Sequence, residues 1–314
     1  GGKALSLIKL TQLNINVPPG IILTIDFFRD WSDLIKSSKY WLKLINEIKD
    51  FDKIEQNLKD IKDYFQANLK LTENQLNNIN TQLYNIFKEN YKKELYAVRS
   101  SSSEEDLKES SFAGQYDTKL GVPFENLEKN IVEVFLSVFN FRVLKYKIEK
   151  KLDYLNFNIA IIIMKQVNCD KAGVAFSLNI SNNDYDEAII NSNFGLGETV
   201  VEGTVTPDCF IINKVSKNII DKKLGKKEIK IMKEINDEKN VFIKKYSNNE
   251  TKNTFSLNDE EILLILKELI NIENSYQFPV DIEFGIENNI LYILQARPIT
   301  TYNKLPDELI TLPN

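Results

Sequence analysis

The stretch VDIEFGIENNILYILQARPITT, residues 280–301, decides how this chain is read. Two runs of alternating side chains flank the polar tip Glu287, Asn288 and Asn289, the pattern of two short β-strands joined as a hairpin. Neighbouring side chains on a strand point to opposite faces. Val280, Ile282, Phe284 and Ile286 therefore share one face, and Asp281, Glu283 and Gly285 share the other. A three-residue tip sets Asp281 opposite Gln295, with Glu283 diagonally across and Arg297 continuing the row. Two carboxylates, an amide oxygen and a guanidinium then converge on one face. Such a set suits a magnesium polyphosphate, with hard oxygens for the ion and a planar cation for phosphoryl oxygens. It equally fits the solvated face of an edge hairpin, and the spacing alone leaves both readings open.

Composition narrows the classes. A chain of 314 residues, 43% hydrophobic, has room for one large domain or two lobes. The net charge of -5 offers no footprint for nucleic acid, and no basic run suggests a membrane surface. Two cysteines, Cys169 and Cys209, fit a reduced cytoplasmic protein better than a disulfide scaffold. No apolar run reaches the roughly 18 residues of a membrane span, and no signal peptide is visible. The sequence begins at GGK without methionine, so a trimmed N-terminus is expected. Histidine is absent, which excludes histidine triads, histidine metal sites and histidine bases together. Of the 40 basic residues only Arg29, Arg99, Arg142 and Arg297 are arginine, and each invites a role a point-charge ammonium cannot fill, such as bidentate phosphate binding.

Along the chain, Gly1, Gly2 and Lys3 precede the apolar pattern Leu5, Leu7, Ile8 and Leu10 of a helix start, and residues 17–20, VPPG, read as a rigid turn. Residues 26–91 are helical in pattern. Phe51, Ile54, Leu58, Ile61 and Phe65 form one stripe, and Leu76, Ile79, Leu83 and Ile86 another behind a Thr72/Gln75 capping box. A strand at residues 95–98 runs into Arg99 and four serines, 100–103, which read as an exposed loop rich in hydroxyls, or as a linker. The small-residue loop 110–115 has the composition of a lid over phosphates. An amphipathic helix follows on Leu127, Ile131, Val134, Phe135 and Val138, then a buried strand at 157–167 with 172–177 as its expected partner. A strand at 187–193 leads to Gly195, Leu196 and Gly197, which by themselves read more readily as a tight turn than as a phosphate loop. Residues 215–255 carry no legible chemistry. Asn258 and Glu261 cap a last helix, and residues 302–314 read as a linker.

Four stretches in order resemble the ATP-binding domain of the dikinases, the family of phosphoenolpyruvate synthase, pyruvate phosphate dikinase and rifampicin phosphotransferase. They are GGKALSL with VPPGIILT, AVRSSSSEEDLKESSFAGQYDT (97–118), FGLGETVVEGTVTPD (194–208), and DIEF with LQARPITT. Together they cover nearly the whole chain. The resemblance implies an α+β, ATP-grasp fold with two lobes clamping ATP: an N-terminal lobe at 1–163, a C-terminal lobe at 164–301 and a linker at 302–314. It implies nucleotide contacts at Lys3, Arg99, Gly114, Gln115, Thr118 and Glu198, and at the hinge residues Lys165, Gln166 and Val167, whose backbone would meet adenine. The family has glutamine-x-methionine at that hinge, where this chain has Met164, Lys165 and Gln166, so base selectivity through side chains is in question.

The expected cofactors are ATP and Mg2+. Glu283 and Gln295 are the expected metal ligands, with Asp281 as an additional ligand or a support for them. Arg297 is expected to stabilise the transferring phosphate, with Lys3 and Arg99 neutralising the remaining oxygens. In the dikinases the acceptor is a histidine on a swivelling domain, ATP yields AMP, and the phosphate moves on to a small molecule such as pyruvate or an antibiotic. Without histidine, this chain needs such a domain in the same full-length chain or in trans. Two other readings stay open: a stand-alone ATP-grasp kinase or ligase that phosphorylates a carboxylate and releases ADP, and a nucleotide-sensing module.

Overall fold

Local signals place the helices. Thr72 accepts the Gln75 amide while the Gln75 side chain accepts the Thr72 amide, and Asn258 with Glu261 repeats the arrangement. Each such cap is worth about 1 kcal/mol. The structure is a computed structural model; it describes residues 1–102, 116–236, 239–300 and 302–303, without the side chains of 235–236 and 239–241. Helix α1 (Gly2–Gln12) opens the chain. The described chain divides into two units, Gly1–Leu5 with Pro18–Gln166, and Ser6–Val17 with Val167–Asn314.

The first unit holds β1 (Gly20–Leu23), α2 (Arg29–Lys36), α3 (Lys39–Asn46), α4 (Phe51–Asn68), α5 (Glu73–Phe87), β2 (Leu95–Ser102), β3 (Thr118–Pro123), α6 (Leu127–Leu136), α7 (Phe141–Glu149) and β4 (Ile159–Lys165). Its strands form an antiparallel sheet in the order β1-β4-β2-β3. Ile54, Leu58, Ile61 and Phe65 of α4 are buried in one core with Phe28, Trp31 and Phe135, whose rings pack 5.1–5.3 Å apart. The stripes fray at their ends: Phe51 and Ile86 stay exposed.

The second unit adds β5 (Lys171–Phe176), β6 (Glu187–Phe194), α8 (Glu198–Val201), β7 (Asp208–Asn213), β8 (Ile219–Lys223), β9 (Ile229–Asn236), β10 (Lys239–Tyr246), α9 (Asn249–Asn253), α10 (Asp259–Tyr276), β11 (Val280–Glu287) and β12 (Ile290–Pro298). Six strands pair antiparallel in the order β12-β11-β5-β6-β7-β8, while β9 and β10 pair as a separate hairpin. Val280, Ile282, Phe284 and Ile286 are fully buried under α10, each contributing about 1.5–3 kcal/mol.

Two expectations about strands are corrected. Residues 172–177 do not partner the strand before them: β5 pairs with β11 and β6, because the chain leaves the first unit after Gln166. Nor do Ser100, Ser101 and Ser102 form an exposed loop, while Ser103 lies outside the described residues. Ser100, Ser101 and Ser102 extend β2, buried and opposite Ile161, Ala160 and Ile159 of β4. A serine is small enough for a central strand, and the Ser101 hydroxyl accepts the Ala4 amide at 3.0 Å. Residues 6–17, expected within the first lobe, belong to the second unit. Asn303, expected in a linker, exchanges hydrogen bonds with Asn183 at 3.0 Å and accepts one from the Tyr185 hydroxyl. Among the described residues no helix is long and apolar enough to cross a membrane.

Candidate functional site

The hairpin of β11 and β12 closes with a two-residue turn: Glu287 pairs with Ile290, and Asn288 and Asn289 both take positive φ, 51° and 63°. Asparagine tolerates that left-handed region because its short polar side chain bonds locally. A two-residue turn carried straight along the ladder would set Gln295 opposite Ile282 and Arg297 opposite Val280, on the buried face. A bulge prevents this. The register shifts beside Phe284, leaving Leu294 as the extra residue, so that Glu283 lies directly opposite Gln295 and Asp281 directly opposite Arg297. The expected four-group face therefore exists, with the three-residue tip replaced by a tight turn and a bulge, and the expected pairing of Asp281 with Gln295 replaced by Asp281 with Arg297.

Asp281 and Arg297 are joined: the arginine Nε donates to both carboxylate oxygens at 2.8 Å, with the aspartate side chain 15% and the arginine side chain 35% exposed. Such a pair fixes the plane of the guanidinium. Glu283 is half-buried and Gln295 buried. Glu283 and Gln295, opposite one another in the ladder, carry a carboxylate and an amide oxygen, donor types that fit a hard divalent cation. Asp281 fits that role less well, since its carboxylate is engaged by Arg297. Among the described residues no group of three or more aspartates, glutamates or cysteines is arranged to hold a metal, so the remaining ligands of an ion here would be water and phosphate oxygens.

In the same unit, Gly195 has φ +80°, and a Cβ there would collide with the Ile231 carbonyl. The Gly195 amide donates to Asp170 O at 2.8 Å and the Leu196 amide to Ile231 O at 2.9 Å. Those two amides are spent on holding the turn, in keeping with the tight-turn reading. Glu198 starts α8; burial, reinforced by Glu202 and opposed by Lys244, raises its carboxyl above the ordinary 4.5.

In the first unit, Arg99 on β2 lies directly opposite Thr118, which is exposed at the start of β3. Lys3 sits in the first turn of α1, and that end packs on β2 through the bond from Ala4 to Ser101. The first turn holds no acidic residue, so the positive end of the helix dipole and Lys3 reinforce one another. Arg99 and Thr118 are thus neighbours across β2 and β3, and the first turn of α1, which carries Lys3, packs two residues further along β2, at Ser101. At the expected hinge residues, the Lys165 amide donates to Pro19 O and the Gln166 amide to Leu95 O, both at 2.8 Å, so neither is a donor this strand can offer a base. Val167 is buried. Gly114 and Gln115 lie outside the described residues.

Two features have no motif to announce them. One is the bulge at Leu294. The other is the partner of Asp208, the last residue of the 194–208 motif: Lys227, from the lysine-rich stretch without legible chemistry, reaches it with Nζ 2.5 Å from Oδ1 in a fully buried ion pair. Asp208 also accepts the Gly225 amide at 2.8 Å, the Ser256 amide at 2.7 Å and the Ser256 hydroxyl at 2.8 Å.

Comparison with known proteins agrees with the motifs. Residues 1–311 match the family described as pyruvate phosphate dikinase, AMP/ATP-binding domain. A probable phosphoenolpyruvate synthase of Methanocaldococcus jannaschii is 35% identical over 97% of this chain and 26% of its own length. One of Archaeoglobus fulgidus is 32% identical over 97% of this chain and 40% of its own. The chain thus spans well under half the length of these curated relatives. A D-alanine–D-alanine ligase structure from Bacillus anthracis covers 95% of this chain and 56% of its own at 9% identity and a TM-score of 0.36, a likeness too distant to bear on the fold. The α+β architecture of both units agrees with the ATP-grasp class the motifs imply. By its match over nearly every residue, the chain belongs to the AMP/ATP-binding domain family of pyruvate phosphate dikinase.

Proposed function

We propose that this chain is the magnesium-dependent ATP site of a dikinase, passing a phosphoryl group to a histidine on a separate swivelling domain, from which it reaches a small molecule such as pyruvate or an antibiotic. The observation that carries the reading is the bulged hairpin, which turns Asp281, Glu283, Gln295 and Arg297 to one face. Glu283 and Gln295 would hold Mg2+, which when bound neutralises phosphate oxygens. Asp281 holds Arg297 by Nε, so its role is to aim the guanidinium at the transferring phosphate. Phosphoryl transfer needs charge neutralised and atoms positioned more than covalent help, and a fixed planar cation does both. Lys3, Arg99, Gly114, Gln115, Thr118, Glu198 and the Lys165–Val167 backbone are assigned nucleotide contacts on the motif match alone, with the Lys165 and Gln166 amides set aside for the reason given above.

The chain has no histidine, so the acceptor comes from another domain. Relatives more than twice as long, named phosphoenolpyruvate synthases, support that arrangement. The two cysteines are free thiols, which supports a cytoplasmic setting. Calorimetry of the chain with ATP, with and without magnesium, tests the site; addition of a dikinase histidine domain should then yield AMP and a phosphorylated histidine. No binding at millimolar Mg-ATP by folded protein would refute the nucleotide reading. ADP formed with a small carboxylate and no partner would replace it with the ligase reading.

A further inference from the structure

We propose that residues 6–17 act as a register clamp on β12, and that Ser6, Tyr276 and Asn16 are positioning residues for Gln295 and Arg297. The inference rests on the reading of that row as the magnesium and phosphate site. Among the described residues β12 is an edge strand, with β11 on one side and no strand on the other. Helix α1 ends in a left-handed residue, Asn14 at φ 58°, and the Ile15 amide turns back to the Leu10 carbonyl at 3.0 Å. The chain then lies along β12. Asn16 donates from Nδ2 to Leu291 O at 2.7 Å and accepts the Ile293 amide at 2.9 Å. Ser6 donates from Oγ to Ala296 O at 2.6 Å and accepts from the Tyr276 hydroxyl at 3.0 Å.

The spacing of these contacts is informative. In a regular strand the outward groups recur every second residue, so 291 and 293 would be followed by 295. The clamp instead takes 296, which faces outward only because Leu294 is bulged. The clamp thus recognises the bulged register and no other, and that register alone turns Gln295 and Arg297 to the face of Asp281 and Glu283. A one-residue slip would send both to the buried face.

The test uses the whole chain carrying Ser6→Ala, Ser6→Thr, Tyr276→Phe or Asn16→Ala, each checked for its melting transition. Backbone amide exchange of Ile293, Gln295 and Arg297 and the apparent magnesium affinity at saturating ATP are measured. Ser6→Ala should speed exchange at these amides and weaken magnesium about tenfold, the effect of one lost hydrogen bond, while magnesium-free ATP binding holds. Ser6→Thr keeps the hydroxyl and should restore both readouts. Tyr276→Phe, which removes one oxygen, should shift both in the same direction by less. Unchanged exchange in both Ser6→Ala and Asn16→Ala would overturn the clamp. Faster exchange with unaltered magnesium affinity would overturn the positioning role. If the unaltered chain bound no Mg-ATP, the functional reading would fail, whereas the exchange data would still decide whether the clamp exists.

Discussion

Lys227→Met is the sharpest test of how the second unit is held together. The ammonium and the Asp208 carboxylate are both 0% exposed and 2.5 Å apart. Removing one partner of such a pair leaves a buried charge without its counter-ion, at about 3–5 kcal/mol. Asp208 would keep three donors, the Gly225 amide and the Ser256 amide and hydroxyl, which places the loss near 3 kcal/mol. For a domain the size of this unit, each kcal/mol moves the melting temperature by about 2–4 °C, so a fall of about 6–12 °C is expected. Asp208→Asn strands the lysine instead and should cost a similar amount. The double variant, neutral at both positions and with one acceptor oxygen retained, should lose at least about 2 kcal/mol less than the sum. Calorimetric melts of the four proteins at one pH and salt concentration measure this. A Lys227→Met melt within about 2 °C of the parent, or strictly additive losses, would refute the buried pair.

Other expectations follow from the site and its surroundings. Arg297→Lys keeps the charge but loses the planar fork and the Nε bond to Asp281, so single-turnover transfer in the full-length enzyme should fall about a hundredfold with ATP affinity little altered; near-normal transfer would make the row structural. Glu283→Gln should instead weaken magnesium dependence and nucleotide affinity together, and an unchanged magnesium titration would remove Glu283 from the ligand set. Gly285→Ala would press its new methyl into Cys169 Sγ and should destabilise by about 1–3 kcal/mol, whereas adding Cys169→Ala leaves only ordinary contact at 3.6 Å and should recover most of it. The Glu198 carboxyl is raised in the fold, so its contribution to stability is full below its ordinary 4.5 and is lost as pH climbs through the raised value. Melting temperature against pH should flatten over that window in Glu198→Gln, and parallel curves would show that Glu198 does not drive the slope.

What the sequence disclosed was local. The capping boxes at Thr72 and Asn258, the stripe on α4 and the sharing of faces along β11 depend on neighbours a few residues apart, and they are as expected, whereas the bulge at Leu294 breaks the alternation expected of β12. Cross-strand register was harder, because Glu287-Asn288-Asn289 is compatible with a two- or three-residue tip and nothing in Leu294 marks it as the bulged residue. The serines of β2 misled for a related reason: a hydroxyl looks solvent-seeking until a distant amide, that of Ala4, is brought to it. Lys227 is one lysine among many between 214 and 245, and only the tertiary fold separates it from its solvated neighbours.

The bond from Ser6 to Ala296 also sets a timetable for synthesis. The two residues are 290 positions apart, and a ribosome adds about 5–20 residues per second. The serine therefore waits about 15–60 seconds for its acceptor to be made. Once residue 223 has been made β5 to β8 can pair, but that sheet's other side stays open until β11 and β12 follow and β12 meets residues 6–17. Closure of the second unit thus joins two segments made far apart in time, and between the making of β5 and that of β11 the nascent sheet carries an open edge, the state most open to pairing with a neighbouring chain.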